Sequence, residues 1–451
     1  MKTSFFSLTL GSHRLPSLSL ASPLRFSAAW VAALVGLGVA NGAAYAQPGG
    51  SGAAYMGTGS CSSSNCHGGA SPRKATNVLQ NEYVTWQKHD LHAQAWLNLG
   101  NEDSKRIAYH LGIKDAQKDP LCLSCHATYY PDARQGVNFQ IEDGVGCESC
   151  HGPGEKYLGP HTANDATHAK NIELGMLDIV APSKRAAMCV TCHIGNDEKS
   201  VSHRLIGAGH PRLSFELDTF GMLEPKHWLV DDDYKERKED YSPVKAWLIG
   251  QAEVADAMLD TTLSKTRSRD GQWPELTQFY CYSCHHSLSE DQWKERDYGG
   301  RPGELKLNVS SLIILREALK ATDPALSAAL GTKLEDLHKR YRDGTPIDTI
   351  RAIKGVLTQI RTSVAGKSYD TASLDRLLKR VTAYGAEEPG LQYEVAEQLA
   401  MAMSSIVSAR SSDGKLYKAE IDGVYAALAT PDEFKANDFT AACKKFVARL
   451  S

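Results

Sequence analysis

The chain has 451 residues, of which 42% are hydrophobic and 23% charged, so wholesale disorder is excluded and two or three domains are expected. A formal net charge of -3 gives no basis for a nucleic-acid partner. Eleven cysteines are too sparse in so long a chain for a small disulfide scaffold, so their positions carry the information.

Residues 1–46 read as an export signal. Lys2, Arg14 and Arg25 are positive, no acidic residue precedes Glu82, and an apolar run from Ala28 to Ala40 ends in Ala44-Tyr45-Ala46. A positive segment, a short apolar segment and an A-x-A site are the parts of a cleavable secretory signal. The apolar run is short for a bilayer span, which counts against an uncleaved anchor. The expectation is a soluble, exported protein, periplasmic, with no membrane span after cleavage. Residues 47–60, rich in Gly, Ala and Ser, read as a flexible leader.

Residues 61–300 carry a repeated motif. Four pairs read C-x-x-C-H: Cys122/Cys125-His126, Cys147/Cys150-His151, Cys189/Cys192-His193 and Cys281/Cys284-His285. A fifth, Cys61/Cys66-His67, has four residues between its thiols, and this longer loop must bulge outward. C-x-x-C-H is the attachment pattern of c-type haem. Two thiols one helical turn apart form thioethers with the porphyrin, and the adjacent imidazole reaches the iron. Zinc ribbons, thioredoxin-like pairs and structural disulfides also use paired cysteines, but none requires a histidine after each pair. Many Gly, Pro, Asp and Asn breaks between motifs predict short helices and long loops around five haems. The run Asp231–Asp240 reads as a solvated loop, or less simply as a docking patch.

Before the last motif, Trp247, Val254 and Met258, with Leu248, Ala255 and Leu259, fall at helical spacing. Residues 301–451 change texture. Leu326, Leu330, Leu334, Leu337 and Tyr341 recur at helical intervals after an Asp323-Pro324 start signal. Further apolar series run through Ile350–Ile360, Leu374–Val381 and Val395–Ile406, with breaks near Gly344, Gly366, Gly390 and Gly414. The fold class is therefore mainly α: a pentahaem region followed by a C-terminal bundle of about six helices. His338 reads as a surface residue and Cys443 as a buried, inert thiol. No catalytic constellation is visible in the bundle, which suits packing or a role as a complex subunit.

Each iron has a second axial position. Beyond the five motif histidines, nine candidates surround the motifs: His89, His92, His110, His161, His168, His203, His210, His227 and His286. This surplus points to bis-His ligation for most haems, which keeps iron low-spin. Met176, Met188 and Met222 are weaker candidates.

The run Val145-Gly146-Cys147-Glu148-Ser149-Cys150-His151-Gly152-Pro153-Gly154 resembles the multihaem cytochromes related to cytochrome c-554, tetrahaem electron carriers of ammonia oxidisers. Trp86-Gln87-Lys88-His89-Asp90-Leu91-His92-Ala93 is similar to the segment after that family's first haem, and the resemblance covers roughly residues 61–200. It implies that His92 is the distal ligand of the haem on His151 and that His161 serves the haem on His67. It also implies an open, five-coordinate haem on His126, unless His110 or another residue has moved in. The two extra residues in the first motif, the fifth motif and the helical bundle depart from the family pattern. Ser202–Arg212 resembles larger members of the group. His203, His210 and His227 are expected to serve the fourth and fifth haems, with the second as a further candidate.

The expectation is an electron relay between redox partner proteins through five covalent haems c. The alternative is an oxidoreductase acting on a small nitrogen or sulfur compound at the haem on His126.

Overall fold

The computed structural model describes residues 52–73, 78–238, 241–264, 275–285, 305–388 and 390–450. The expected signal segment and His286 lie outside them. The protein is mainly helical, and among the described residues the only β pairing is two isolated bridges, Tyr55 with Gln135 and Phe279 with Leu307.

The helices of the motif region are short and include α1 (Glu82–His89), α2 (Pro120–His126), α3 (Cys147–His151), α4 (Pro182–His193) and α5 (Leu217–Leu223). Their starts are dictated locally. Asp119 caps α2, accepting from the Leu121 amide with Pro120 in the first turn, and Pro182 opens α4. Glu216 caps α5 through the Asp218 and Thr219 amides. Among the described residues, side chains form two small clusters here. Leu99, Ala108, Ala116, Leu123 and Ala127 make one, and Ala186, Val190, Phe215 and Leu217 join Ala246 and Val254 in the other.

Then comes α6 (Pro243–Leu263), buried on most sides. A helix that is apolar nearly all round belongs inside a protein. One side, through Ala246 and Val254, meets α4 and α5. The other, through Trp247, Leu248, Ala252 and Leu259, enters the core of the C-terminal bundle. Gly250 is a glycine because a Cβ there would stand 2.6 Å from the Leu217 Cβ. The bundle consists of α7 (Ser310–Thr322), α8 (Pro324–Arg342), α9 (Ile347–Gly366), α10 (Thr371–Glu387), α11 (Tyr393–Arg410), α12 (Lys418–Ala426) and α13 (Ala436–Arg449). Its core draws on residues from Val244 to Phe446, so the chain on either side of residue 300 shares one hydrophobic interior. Among the described residues no helix is long and apolar enough to cross a membrane.

Three expectations are corrected. Residues 53–58 of the expected flexible leader are largely buried. The Tyr55 amide donates to Arg134 O at 2.9 Å, and the Met56 and Gly57 amides donate to Glu148 at 2.8 and 2.7 Å. Small residues lower the cost of ordering, and these backbone bonds offset it. The acidic run contains a short helix, Asp232–Arg237, because Asp231 caps it through the Tyr234 amide at 2.9 Å. His338 is buried, since it shares the inner face of α8 with Leu334, whose carbonyl lies 3.2 Å from its Nδ1. Cys443 is fully buried among Phe439, Phe446 and Gly385, and burial pushes its thiol up to about 12.

Candidate haem sites

The cysteine motifs share one local geometry. In α2, α3 and α4 the second cysteine follows the first by one helical turn and the histidine ends the helix. At the fifth motif a 3-10 turn does the same, with the His285 amide bonded to Cys281 O at 2.8 Å. The first motif keeps that bond despite its extra residues: the His67 amide donates to Cys61 O at 3.1 Å. Residues 62–65 are looped out through the Ser63 carbonyl, which accepts from the Cys66 and Gly68 amides. None of the eleven cysteines is joined to another in a disulfide.

The fifth motif differs from the other four in its setting. Cys281, Cys284 and His285 are exposed, whereas the other eight motif cysteines are half-buried. The cause is local. Cys281 and Cys284 sit on a single 3-10 turn tied to α11, where the Cys281 amide donates to Glu394 at 3.1 Å. The other four motifs are packed among one another's loops, as the clasp described below shows. Cys284 therefore has the residue type and spacing for a thioether, but a more open setting than its counterparts.

The ten histidines of the motifs and their candidate partners come together in five facing pairs. Ring centroids are 6.2 Å apart for His67 and His161, 6.3 Å for His126 and His210, and 6.3 Å for His151 and His227. They are 6.1 Å apart for His92 and His193 and 6.2 Å for His203 and His285. The angles between ring planes range from 9° to 89°. The pairs thus share a spacing and not an orientation, so ring stacking does not explain them. A metal–imidazole bond is about 2.0 Å, and a ring centre lies about 1.2 Å behind its nitrogen. Two imidazoles on opposite sides of one iron would place their centroids about 6.4 Å apart. The residues therefore fit a haem iron between each pair. Among the described residues no group of three or more His, Cys, Asp and Glu side chains could hold a bare metal ion.

Partners at the far ring nitrogen fix several of these imidazoles. Nδ1 of His67 meets Glu82 at 2.9 Å, and Nδ1 of His92 meets Asp90 at 3.0 Å. Backbone carbonyls serve others: Ala95 for His126 at 3.1 Å, Tyr157 for His161 at 2.9 Å and Pro211 for His210 at 2.7 Å. A bond at Nδ1 sets the tautomer that leaves Nε2 free for a metal. Burial holds His151 and His193 down at about 4 and also lowers His126, keeping these imidazoles in the neutral, ligating form. The hydrogen bond with Glu82 raises His67, and that with Asp90 raises His92.

His161 faces His67, the pair that the family resemblance implies. The resemblance also implies His92 for His151. In the structure His92 faces His193, and the segment after α5 brings His227 to His151 instead. His126, the motif with the expected open side, is faced by His210. His89 and His110 are exposed outside the pairs, and His168 contacts Asp178 at 3.3 Å.

Sequence reasoning missed Glu148. It lies between the two cysteines of its motif in sequence, is buried, and accepts the amides of Met56, Gly57 and Gly154 at 2.8, 2.7 and 2.6 Å. Gly152, at φ +80°, turns the chain after His151 so that Gly154 can reach it. Nearby, the Trp86 indole donates to Val145 O at 3.2 Å, and the Val145 amide donates to His92 O at 3.1 Å. The two stretches that resemble the family therefore dock on each other. A carboxylate inside C-E-S-C-H was the available signal for this clasp. The thiols of Cys61 and Cys147 are close enough to influence each other's ionisation, as are those of Cys125 and Cys192. Lys199 Nζ stands 3.5 Å from Cys192 Sγ and 5.7 Å from the centre of the Tyr130 ring.

Comparison with known proteins bears on the first three motifs. The profile of the family described as cytochrome c554 and c-prime matches residues 61–152. Cytochrome c-554 of Nitrosomonas europaea is 30% identical over 108 residues, which is 22% of this chain and 44% of that protein. The chain thus matches less than half the length of this curated relative. No solved structure matches. The family match ends just after the third motif and so leaves out His161, the fourth and fifth motifs, and the bundle. Over residues 61–152 the chain is similar to the cytochrome c-554 family of multihaem cytochromes, a likeness that implies covalently bound haem c.

Proposed function

We propose that this protein is an exported, periplasmic pentahaem c-type cytochrome that carries electrons between redox partner proteins, with each haem held between two histidines. Five His–His pairs of nearly constant spacing and unrelated ring orientation carry the reading, because a shared axial iron accounts for both features. Bound haem c supplies one-electron chemistry at iron. The chain sets spacing and ligation. Cys61 stands near Cys147 and Cys125 near Cys192, so the first attachment edge lies beside the third and the second beside the fourth. Short distances of this kind favour passage of electrons without any nucleophile or general base. The open setting of Cys281 and Cys284 suits a fifth haem whose edge a redox partner can approach. His210 opposite His126 supports electron transfer over conversion of a small nitrogen or sulfur compound, since it occupies the side on which such a substrate would bind.

Intact mass combined with a pyridine haemochrome assay of the exported protein tests the haem count. Five haems per chain are expected. Four or fewer, or a colourless zinc protein, would contradict the reading.

A further inference from the structure

Between the fourth motif and the helical bundle lies a group of ionisable side chains that electron relay does not require. Glu216 and Asp218, at the start of α5, are both fully buried. Glu216 accepts the Asp218 and Thr219 amides at 2.8 and 2.7 Å, and the Ser405 hydroxyl stands 3.5 Å from its Oε2. Asp218 Oδ1 accepts the Tyr241 hydroxyl at 2.6 Å, while its Oδ2 is buried without a hydrogen-bond partner. An unpaired carboxylate oxygen is costly to bury, and a proton removes the cost. Neither carboxylate has an ion-pair partner within 4 Å among the described residues.

The elements packed around them offer little compensation. Lys226, beyond the end of α5, is the cation that acts on Asp218. Arg185 on α4 lies over the Tyr241 ring at 5.9 Å. On α6, Gln251 bonds to Gln398 of α11 at 2.6 Å. Also on α11, Glu397 is taken by Arg212 and Ser214, both at 2.6 Å, and the Glu216 charge reaches Tyr425 of α12. Burial first, and then the Asp218 charge, push Glu216 up to about 7, and burial raises Asp218 as well.

The same short segment touches the fourth haem site. Phe215 and Phe220 flank the two carboxylates in sequence and pack on the His193 ring at centroid distances of 5.3 and 5.2 Å. We propose that the Glu216–Asp218 pair is a proton-binding site coupled to the haem on His193, so that this protein takes up a proton with an electron. The proposal rests on the electron-relay reading. In the step, a redox partner delivers one electron, which reduces Fe(III) to Fe(II). One proton from solvent forms an O–H bond on the carboxylate pair, and the net charge of the region is unchanged. Reoxidation reverses both transfers. Tyr241, partly exposed and bonded to Asp218, is the proton's contact toward solvent.

Redox titration of the holoprotein between pH 6 and 9 tests this. One of the midpoint potentials is expected to fall as pH rises through and above 7, approaching about 59 mV for each tenfold drop in proton concentration. Glu216→Gln should abolish that slope. Asp218→Asn, which removes the charge that raises Glu216, should move it to lower pH. Infrared difference spectra of the unmodified protein, reduced minus oxidised, should show a carboxylic C=O band appearing, a readout independent of how the variants fold. A titrating protein whose slope survives Glu216→Gln, or whose spectra lack the band, overturns the proposal alone. A protein without titrating haems overturns the relay reading and this proposal with it.

Discussion

The two halves of the molecule are held together in different ways. In the bundle, Leu and Ile side chains on α7 to α11 bury one another, and the long helix α6 extends that core toward the haem sites. Between residues 52 and 230 the apolar clusters are small and separate. There the chain is tied by backbone bonds to isolated polar groups, such as the three amides on Glu148 and the Trp86–Val145–His92 link. Burial of apolar surface is the main stabilising term in folding. A region with little apolar surface of its own needs a core from elsewhere, and five porphyrins would provide it.

The largest expected effect breaks the comparison open. Protein produced without haem attachment should be cut readily within residues 61–230 under limited proteolysis, while the α7–α13 bundle resists. Equal resistance of both halves would show that the haem region carries its own core. Next in size is Leu357→Ala, at a fully buried position of α9. It should cost about 2–5 kcal/mol by thermal unfolding of the bundle and leave the haem absorption spectrum unchanged. Glu148→Ala should do the converse. Three amides lose their acceptor, so the haem region should lose roughly 2–3 kcal/mol in denaturant melts followed at the haem absorption band, with the bundle transition unmoved. The smallest effect is Lys199→Gln. Removing a cation beside Cys192 should lower the potential of the haem on His126 or His193 by on the order of 50 mV, read by redox titration.

What could be read from the sequence follows the same division. Local chemistry was legible: the C-x-x-C-H motifs need only one helical turn, and the bundle declares itself through apolar spacing at Leu330, Leu334 and Leu337. The set of candidate histidines was also legible, because nine beyond the motifs is a surplus. Which histidine faces which motif was not. That choice depends on the path of long loops, and neither His92 nor His227 carries a local sign of its partner. The exposure of Cys281 and Cys284 was equally hidden, since their motif reads like the three buried more deeply. Burial of His338 was missed because a polar residue on an inner helix face is outvoted by its apolar neighbours. The docking of Ala53–Thr58 was missed because its cause, Glu148, lies some ninety residues away.

The central claim is that every haem iron lies between two histidines, including the iron at His126 faced by His210. Electron paramagnetic resonance of the fully oxidised protein measures this directly. The account predicts low-spin signals only, with a high-spin component appearing in His210→Ala. A high-spin signal in the unmodified protein that is lost on adding a small ligand would contradict it.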